Sequence, residues 1–248
     1  MVRQSLDEVQ LKVAFQPLVE LATGKLFAYE ALVRPTHEQF NNPPKLFAEA
    51  IRRDCVGELG RLIRQMAIQG CSDRPLFLNV HPKELDDGWL TRPDDPIFSH
   101  DQPIFLEITE SVPMSKESYA MGTLREVRSK GVWLVVDDLG AGYSNLKYIA
   151  DLEPAVVKLD RELICEIAKS QRLFKLVRSI VALCVDLGSK VVAEGIETVE
   201  ELNAAREAGA HYGQGYYIAR PDFTPPVPRE IVRTSLPIDI TEGDFASS

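Results

Sequence analysis

Polar and charged side chains recur where short, β-rich runs of this sequence come to an end. The carboxylates and the lysine of this series are Glu30, Glu107, Asp137, Asp138, Glu194 and Lys158. A charged group inside a strand that is buried on both faces is unfavourable unless it is paired or binds a metal. Five converging acids outnumber one lysine, so they cannot all be neutralised as ion pairs.

The donor types indicate which cation these residues would hold. Carboxylates, together with the amide of Asn79, are hard oxygen ligands that suit Mg²⁺ or Mn²⁺ rather than zinc. Two adjacent aspartates, Asp137 and Asp138, can bridge or flank two ions, as in-line phosphoryl chemistry requires. The residues alone therefore predict a metal-dependent phosphoesterase, although other two-metal or enolising enzymes use similar acids.

Strand-like runs alternate with longer amphipathic runs over most of the chain. The later strands are predicted at Leu76–Val80, Ile104–Thr109, Val132–Asp138, Val156–Asp160, Lys190–Glu194 and Tyr212–Ile218. Helices are predicted between them, for example over Ser115–Lys130 and Arg161–Leu187, with glycines at 131, 188 and 209 at the helix ends. Continuous apolar runs such as VWLVV favour strands that helices cover on both faces.

The first two strands break this rhythm. Lys12–Glu20 and Phe27–Arg34 are joined by a Thr23-Gly24-Lys25 turn, so they must be antiparallel. Eight strands, six of them followed by helices, predict an α/β fold: a modified TIM (β/α)8 barrel with one antiparallel strand in an N-terminal β-hairpin. In such barrels the active site lies at the C-terminal ends of the strands, where the polar residues fall.

Composition narrows the class of protein. The chain has 248 residues, with 28 basic against 37 acidic side chains, giving 28 − 37 = −9. This acidity argues against binding of polymeric nucleic acid. The absence of a long apolar run argues against a membrane span, and early acids argue against a secretory signal. We expect a cytoplasmic protein with one domain over residues 1–235 and a flexible tail over 236–248.

Seven motifs in order resemble the EAL family of bacterial cyclic di-GMP phosphodiesterases. They are Tyr29-Glu30-Ala31-Leu32-Val33-Arg34, Leu78-Asn79-Val80-His81-Pro82, Leu106-Glu107-Ile108-Thr109-Glu110, Val136-Asp137-Asp138-Leu139-Gly140-Ala141-Gly142-Tyr143-Ser144, Val157-Lys158-Leu159-Asp160, Val192-Ala193-Glu194-Gly195-Ile196-Glu197 and Gly213-Gln214-Gly215-Tyr216. A lone EAL tripeptide would carry no weight, but seven motifs in family order, from about Phe15 to Pro221, are specific. The resemblance implies a barrel with a reversed first strand, in agreement with the hairpin.

The resemblance also implies a role for each matching residue. One Mg²⁺ or Mn²⁺ ion would be bound by Glu30, Asn79, Glu107 and Asp137, and a second by Asp137 and Asp138. Lys158 and Glu194 would hold and deprotonate the attacking water, which opens cyclic di-GMP to linear pGpG. The residues that would contact the substrate are Gln16, Arg34, Asp160 and Gln214. Glu110 would tether the loop after the paired aspartates.

Two features leave alternatives open. The segment Pro35–Pro44 is shorter than in the family and lacks its usual Trp, which alters the rim of the site. Family dimers form beside the loop, so a homodimer through the region following Ser144 is expected, although Leu146, Tyr148 and Ile149 also suit ordinary barrel packing. The complete acid set favours the enzyme over a non-catalytic cyclic di-GMP receptor that acts through a protein partner. A metal phosphoesterase with another substrate is a third hypothesis.

Overall fold

The computed structural model describes residues 11–36, 40–86, 88–109, 119–141 and 146–231. Its strands are β1 Leu11–Glu20, β2 Leu26–Pro35, β3 Leu76–Asn79, β4 Ile104–Thr109, β5 Trp133–Leu139, β6 Val156–Leu159, β7 Lys190–Ala193 and β8 Tyr212–Gly213. Each strand pairs with the next along the chain, and β8 pairs with β1, which closes the sheet into a barrel. The predicted barrel is therefore confirmed.

The strand β1 is the reversed strand that the hairpin predicted. It runs antiparallel to β2, with Leu11 opposite Pro35, and antiparallel to β8, with Glu20 opposite Tyr212. All the other neighbouring pairs are parallel. The C-terminal ends of β2 to β8 consequently meet at one end of the barrel, together with the start of β1.

Helices cover the outside of this sheet. In the described residues they are α1 Pro43–Arg52, α2 Val56–Gly70, α3 Pro82–Asp86, α4 Tyr119–Ser129, α5 Lys147–Leu152, α6 Arg161–Ile164, α7 Gln171–Asp186 and α8 Val199–Glu207. Among the described residues, no helix has the length and apolar character needed to cross a membrane. The expected tail, residues 236–248, lies outside the described residues.

The helix ends follow local chemistry. Gly131, Gly188 and Gly209 have φ of 88°, 86° and 97°, the left-handed conformation expected just past a helix. The side chain of Thr198 accepts from the Glu201 amide while the Glu201 side chain accepts from the Thr198 amide, which forms a capping box at the start of α8.

Two predicted elements were too long. The single helix over Arg161–Leu187 is wrong: α6 and α7 are separate, because Asp160 and Ser170 each cap a helix start with a side-chain hydrogen bond. The last strand ends at Gly213 rather than Ile218, because the backbone beyond it turns against Ile196. The Gln214 carbonyl accepts from the Ile196 amide, and the Ile196 carbonyl accepts from the Tyr217 amide.

An apolar layer fills the interior of the barrel. Each strand contributes one buried side chain to it, in the order Leu18, Ala28, Phe77, Phe105, Val135, Val156, Val192 and Tyr212. Phe77 and Phe105 stack within this layer with ring centroids 4.5 Å apart. A larger apolar cluster lies between the outside of the sheet and the helices. This interior layer closes the barrel below its C-terminal end, and it is called the apolar floor.

Candidate active site

A polar layer lies directly on the apolar floor inside the barrel. Side chains alternate across a strand, so residues two positions apart point to the same face. Counting two residues on from each floor residue, or two back on the reversed β1, gives the members of this layer: Gln16, Glu30, Asn79, Glu107, Asp137, Lys158, Glu194 and Gln214. The fold therefore brings together eight of the residues that the sequence singled out.

Lys158 lies at the centre of the acids in this layer. Its Nζ is 2.5 Å from Glu107 Oε1, 2.7 Å from Glu194 Oε1 and 3.0 Å from Asp137 Oδ1. Glu30 Oε2 is further away, at 3.6 Å. Lys158 and Glu107 are each only 1% exposed. One buried ammonium is therefore shared among four carboxylates.

Two amide side chains donate hydrogen bonds to Glu30. Gln214 Nε2 donates to Glu30 Oε2 at 2.6 Å, and Asn79 Nδ2 donates to Glu30 Oε1 at 3.2 Å. Gln214 Nε2 also lies 3.3 Å from Gln16 Oε1, and Gln16 Nε2 donates to the Ala219 carbonyl. These contacts link β1, β2, β3 and the turn after β8 across the barrel.

A β-bulge brings the second aspartate to the same site. Adjacent residues of a regular strand point to opposite faces, but Asp138 has a left-handed φ of 56° and the β5–β6 register shifts between Val136 and Leu139. As a result, carboxylate oxygens of Asp137, Asp138 and Glu194 lie within 4.8 Å of one another. In the described part of the chain, this trio is the one group of three or more His, Cys, Asp or Glu side chains whose ligand atoms lie this close together. It differs in membership from either ligand set that the resemblance implied.

Burial and mutual repulsion shift the ionisation of the acids. Burial, with the neighbouring charge of Glu30, raises the pKa of Glu107 well above its ordinary value. Burial raises the pKa of Glu194 to about 8 and, with the charge of Asp137, that of Asp138 to about 6. Burial also opposes ionisation of Glu30, but the Lys158 ammonium and the two amide donors outweigh it and lower the pKa. The four facing carboxylates hold the pKa of Lys158 well above its ordinary value against burial.

The residues fit a site for divalent cations. The five carboxylates and one ammonium sum to −5 + 1 = −4 if all are ionised. Glu107 Oε2 is buried and accepts no hydrogen bond from the described residues. Buried acids in excess of their counter-charges are stabilised by metal ions, and oxygen donors of this kind suit hard cations.

A cavity of about 250 Å³ opens beside the acids. It is lined by Glu194 and by three of the four expected substrate contacts, Gln16, Asp160 and Gln214. Asp160 also caps α6, since its Oδ1 accepts from the Glu162 amide at 2.7 Å. The ends of β1, β6, β7 and β8 therefore position one cavity.

Arg34, the fourth expected substrate contact, lies in an adjoining cavity of about 230 Å³. Its Nη1 donates to the carbonyl of Val33 at 3.0 Å. Glu30 and Leu32 border both cavities, so these two residues form the partition between them. Glu110 and Ser144 lie outside the described residues. Of the three residues expected at a dimer contact, Tyr148 and Ile149 are buried in the core, and Leu146 is exposed.

Sequence reasoning missed a buried ion cluster beside the adjoining cavity. Its members are each at most 2% exposed, and Arg64 pairs with both acids, Glu84 and Asp95. The sequence does carry a signal for it: Arg64 lies on the apolar face of α2, among the buried residues Gly60, Ile63 and Ala67. A charged residue at that position of an amphipathic helix predicts a buried partner.

Residues 1–221 match the model of the EAL domain family. The cyclic di-GMP phosphodiesterase RocR of Pseudomonas aeruginosa is 30% identical over 235 residues, covering 89% of this chain and 59% of that protein. The chain spans between 28% and 59% of the length of five curated relatives that it matches.

Solved structures of similar fold contain ligands. A manganese and cyclic di-GMP complex of BlrP1 from Klebsiella pneumoniae has a TM-score of 0.75 at 28% identity, covering 88% of this chain and 57% of that one. A standalone versatile EAL protein from Vibrio cholerae O395, bound to cyclic di-GMP, has a TM-score of 0.73 at 27% identity. It covers 90% of this chain and 97% of that one.

Proposed function

The chain belongs to the EAL domain family, and from that premise we propose that it is a metal-dependent phosphodiesterase that hydrolyses cyclic di-GMP to linear pGpG. The observation that carries the proposal is the polar layer at the end of the barrel, in which four of the expected acids surround Lys158: Glu30, Glu107, Asp137 and Glu194. The relative RocR is named for this activity, and the BlrP1 and Vibrio cholerae structures hold this dinucleotide.

The acidic cluster and the manganese-bound relative support dependence on a divalent metal ion. We assign two Mg²⁺ or Mn²⁺ ions, one to Glu30, Asn79, Glu107 and Asp137 and the other to Asp137 and Asp138. Divalent ions of this kind acidify water and neutralise charge on phosphate oxygens.

The chain's own residues then divide the remaining work. In this proposal Glu194, which borders the cavity, takes the proton of the attacking water at a carboxylate oxygen. Lys158 orients that water and stabilises developing negative charge. Gln16, Asp160 and Gln214 hold the substrate in the cavity, and the planar fork of Arg34 suits a phosphate or a guanine edge.

The decisive experiment incubates the purified chain with cyclic di-GMP and Mn²⁺ or Mg²⁺ and follows pGpG by chromatography. Turnover that requires the metal and stops with EDTA supports the proposal. Binding of cyclic di-GMP without turnover, with either metal, would overturn it in favour of a receptor. Turnover of other phosphodiesters but not of cyclic di-GMP would favour a different substrate. The homodimer and the cytoplasmic location stay predictions; light scattering measures the first.

A further inference from the structure

The buried ion cluster of Arg64, Glu84 and Asp95 has a geometry that one arginine dominates. Arg64 Nε and Nη2 donate to the two oxygens of Asp95 at 3.1 and 2.7 Å, and Nη1 donates to Glu84 Oε2 at 2.5 Å. The cluster ties α2 to α3 and to the short 3-10 turn Pro96–Ser99, where Asp95 Oδ1 accepts from the Ile97 amide at 3.2 Å. All three side chains are removed from water.

The neighbouring backbone is shaped to admit this cluster. A Cβ atom at Gly60 would lie 1.9 Å from Glu84 Oε2, so only glycine leaves room for the carboxylate at that point of α2. Buried ion pairs are weak contributors to stability, because the cost of desolvation offsets much of the attraction. Removing one partner of such a cluster leaves an uncompensated buried charge, so the cluster constrains the arrangement of the segments that it joins.

The ion cluster contacts the turn after β3, which leads back to the polar layer. Glu84 Oε1 accepts from the backbone amide of His81 at 3.1 Å, and His81 Nδ1 accepts from the amide of Lys83 at 3.2 Å. His81 is two residues beyond Asn79, which pairs with Glu107 in the sheet and donates to Glu30. The turn after β3 is thus fixed at one end by the barrel and at the other by the ion cluster.

We infer that Arg64 and Glu84 are positioning residues, which hold the turn after β3 so that Asn79 meets Glu30 in the metal site. Arg64 and Asn79 line the same cavity of about 230 Å³, which shows how near the cluster lies to the site. This inference rests on the proposed function, but a measurement of Mn²⁺ binding tests it separately from turnover of cyclic di-GMP.

The informative variant is Glu84→Gln. The carboxylate accepts from Arg64 with one oxygen and from His81 with the other, whereas an amide of the same shape has one oxygen and must give up one of these bonds. We expect the Mn²⁺ concentration for half-maximal turnover, and the Mn²⁺ dissociation constant from calorimetry, to rise roughly tenfold, as for other residues that orient metal ligands. Turnover at saturating Mn²⁺ is expected to change much less.

A matched control is Arg206→Met. Arg206 is also buried, but its Nε donates to the Leu21 carbonyl at the opposite end of the barrel, next to the Glu20–Tyr212 pair. An unchanged Mn²⁺ constant in this variant, beside a raised one in Glu84→Gln, supports the inference. A lowered melting temperature of Glu84→Gln with an unchanged Mn²⁺ constant, or equal shifts in both variants, would overturn it.

A second variant and a separate readout cover the cases in which Glu84→Gln does not fold or the chain does not turn over cyclic di-GMP. If Glu84→Gln does not fold, Asp95→Asn weakens the pairing of Arg64 from its other side and is judged by the same constants. If the unsubstituted chain binds Mn²⁺ but does not turn over cyclic di-GMP, the proposed function fails, while the calorimetric constants still decide the role of Arg64 and Glu84.

Discussion

Glu194 borders the cavity beside the acids, which is the position that the proposed proton acceptor needs. Glu194→Gln keeps the shape but cannot take a proton. We expect turnover of cyclic di-GMP to fall by roughly 10²–10⁴-fold, the usual contribution of general base catalysis. Chromatography of pGpG measures the rate, and calorimetry with cyclic di-GMP is expected to show retained binding. A variant with the parental rate would exclude Glu194 as the base.

The acids with raised pKa values predict how stability depends on pH when metal is removed. Glu194 has a folded-state pKa of about 8 against an ordinary 4.5, and Asp138 about 6 against 3.8. Between these values each of these two side chains binds more protons in the folded chain than in the unfolded chain, so their contribution to stability falls as pH rises. Lys158 stays charged in both states over this range and adds no slope.

We therefore expect the melting temperature in EDTA to decrease as the pH is raised from about 4 to 8, as measured by calorimetry or circular dichroism. Glu194→Gln is the control, and its melting temperature should decrease less over the upper part of the window. A melting temperature that increases steadily up to pH 8 would contradict the excess of buried acids.

At the scale of the strand, the bulge in β5 makes a prediction about Asp138. Asparagine tolerates positive φ as well as aspartate does, whereas alanine in this conformation costs roughly 1–2 kcal/mol. In urea unfolding with EDTA, Asp138→Asn should be at least as stable as the parent, since it removes one of several repelling charges. Asp138→Ala should be less stable than Asp138→Asn by about 1 kcal/mol. Equal stability of the two variants would show that the backbone conformation carries no strain.

Local spacing along the strands determines which features of the fold and the site can be predicted from the sequence. The hairpin, the order of strands and the alternation that places Glu107 and Lys158 on the inner face all follow from local patterns. The bulge at Asp138 and the break before α7 could not be predicted, because they depend on register with a neighbouring strand and on two competing caps. The apolar face of α2 signals that Arg64 has a buried partner, but no local pattern identifies Glu84 and Asp95, which are 20 and 31 residues away.

For the whole molecule, the excess of five carboxylates over one ammonium in the cluster predicts that divalent metal ions stabilise the fold. The protein carries −9, and two divalent ions would bring −9 + 4 = −5. A ligand at a hundred times its dissociation constant adds about 2.7 kcal/mol to the stability of the state that binds it. Differential scanning calorimetry should show a higher melting temperature with Mn²⁺ than with EDTA. Asp138→Asn should reduce this difference, and an identical melting temperature with and without Mn²⁺ would exclude the metal site.

The reversed first strand also bears on how the protein is made. Gln214 contacts Gln16, 198 residues away, and Glu30, 184 residues away. The site is therefore complete only when the last strand has joined the first hairpin. Contacts so distant along the chain form slowly, because a long segment must be ordered before they are gained. A nascent chain on the ribosome therefore cannot complete the cavity before residue 214 has emerged.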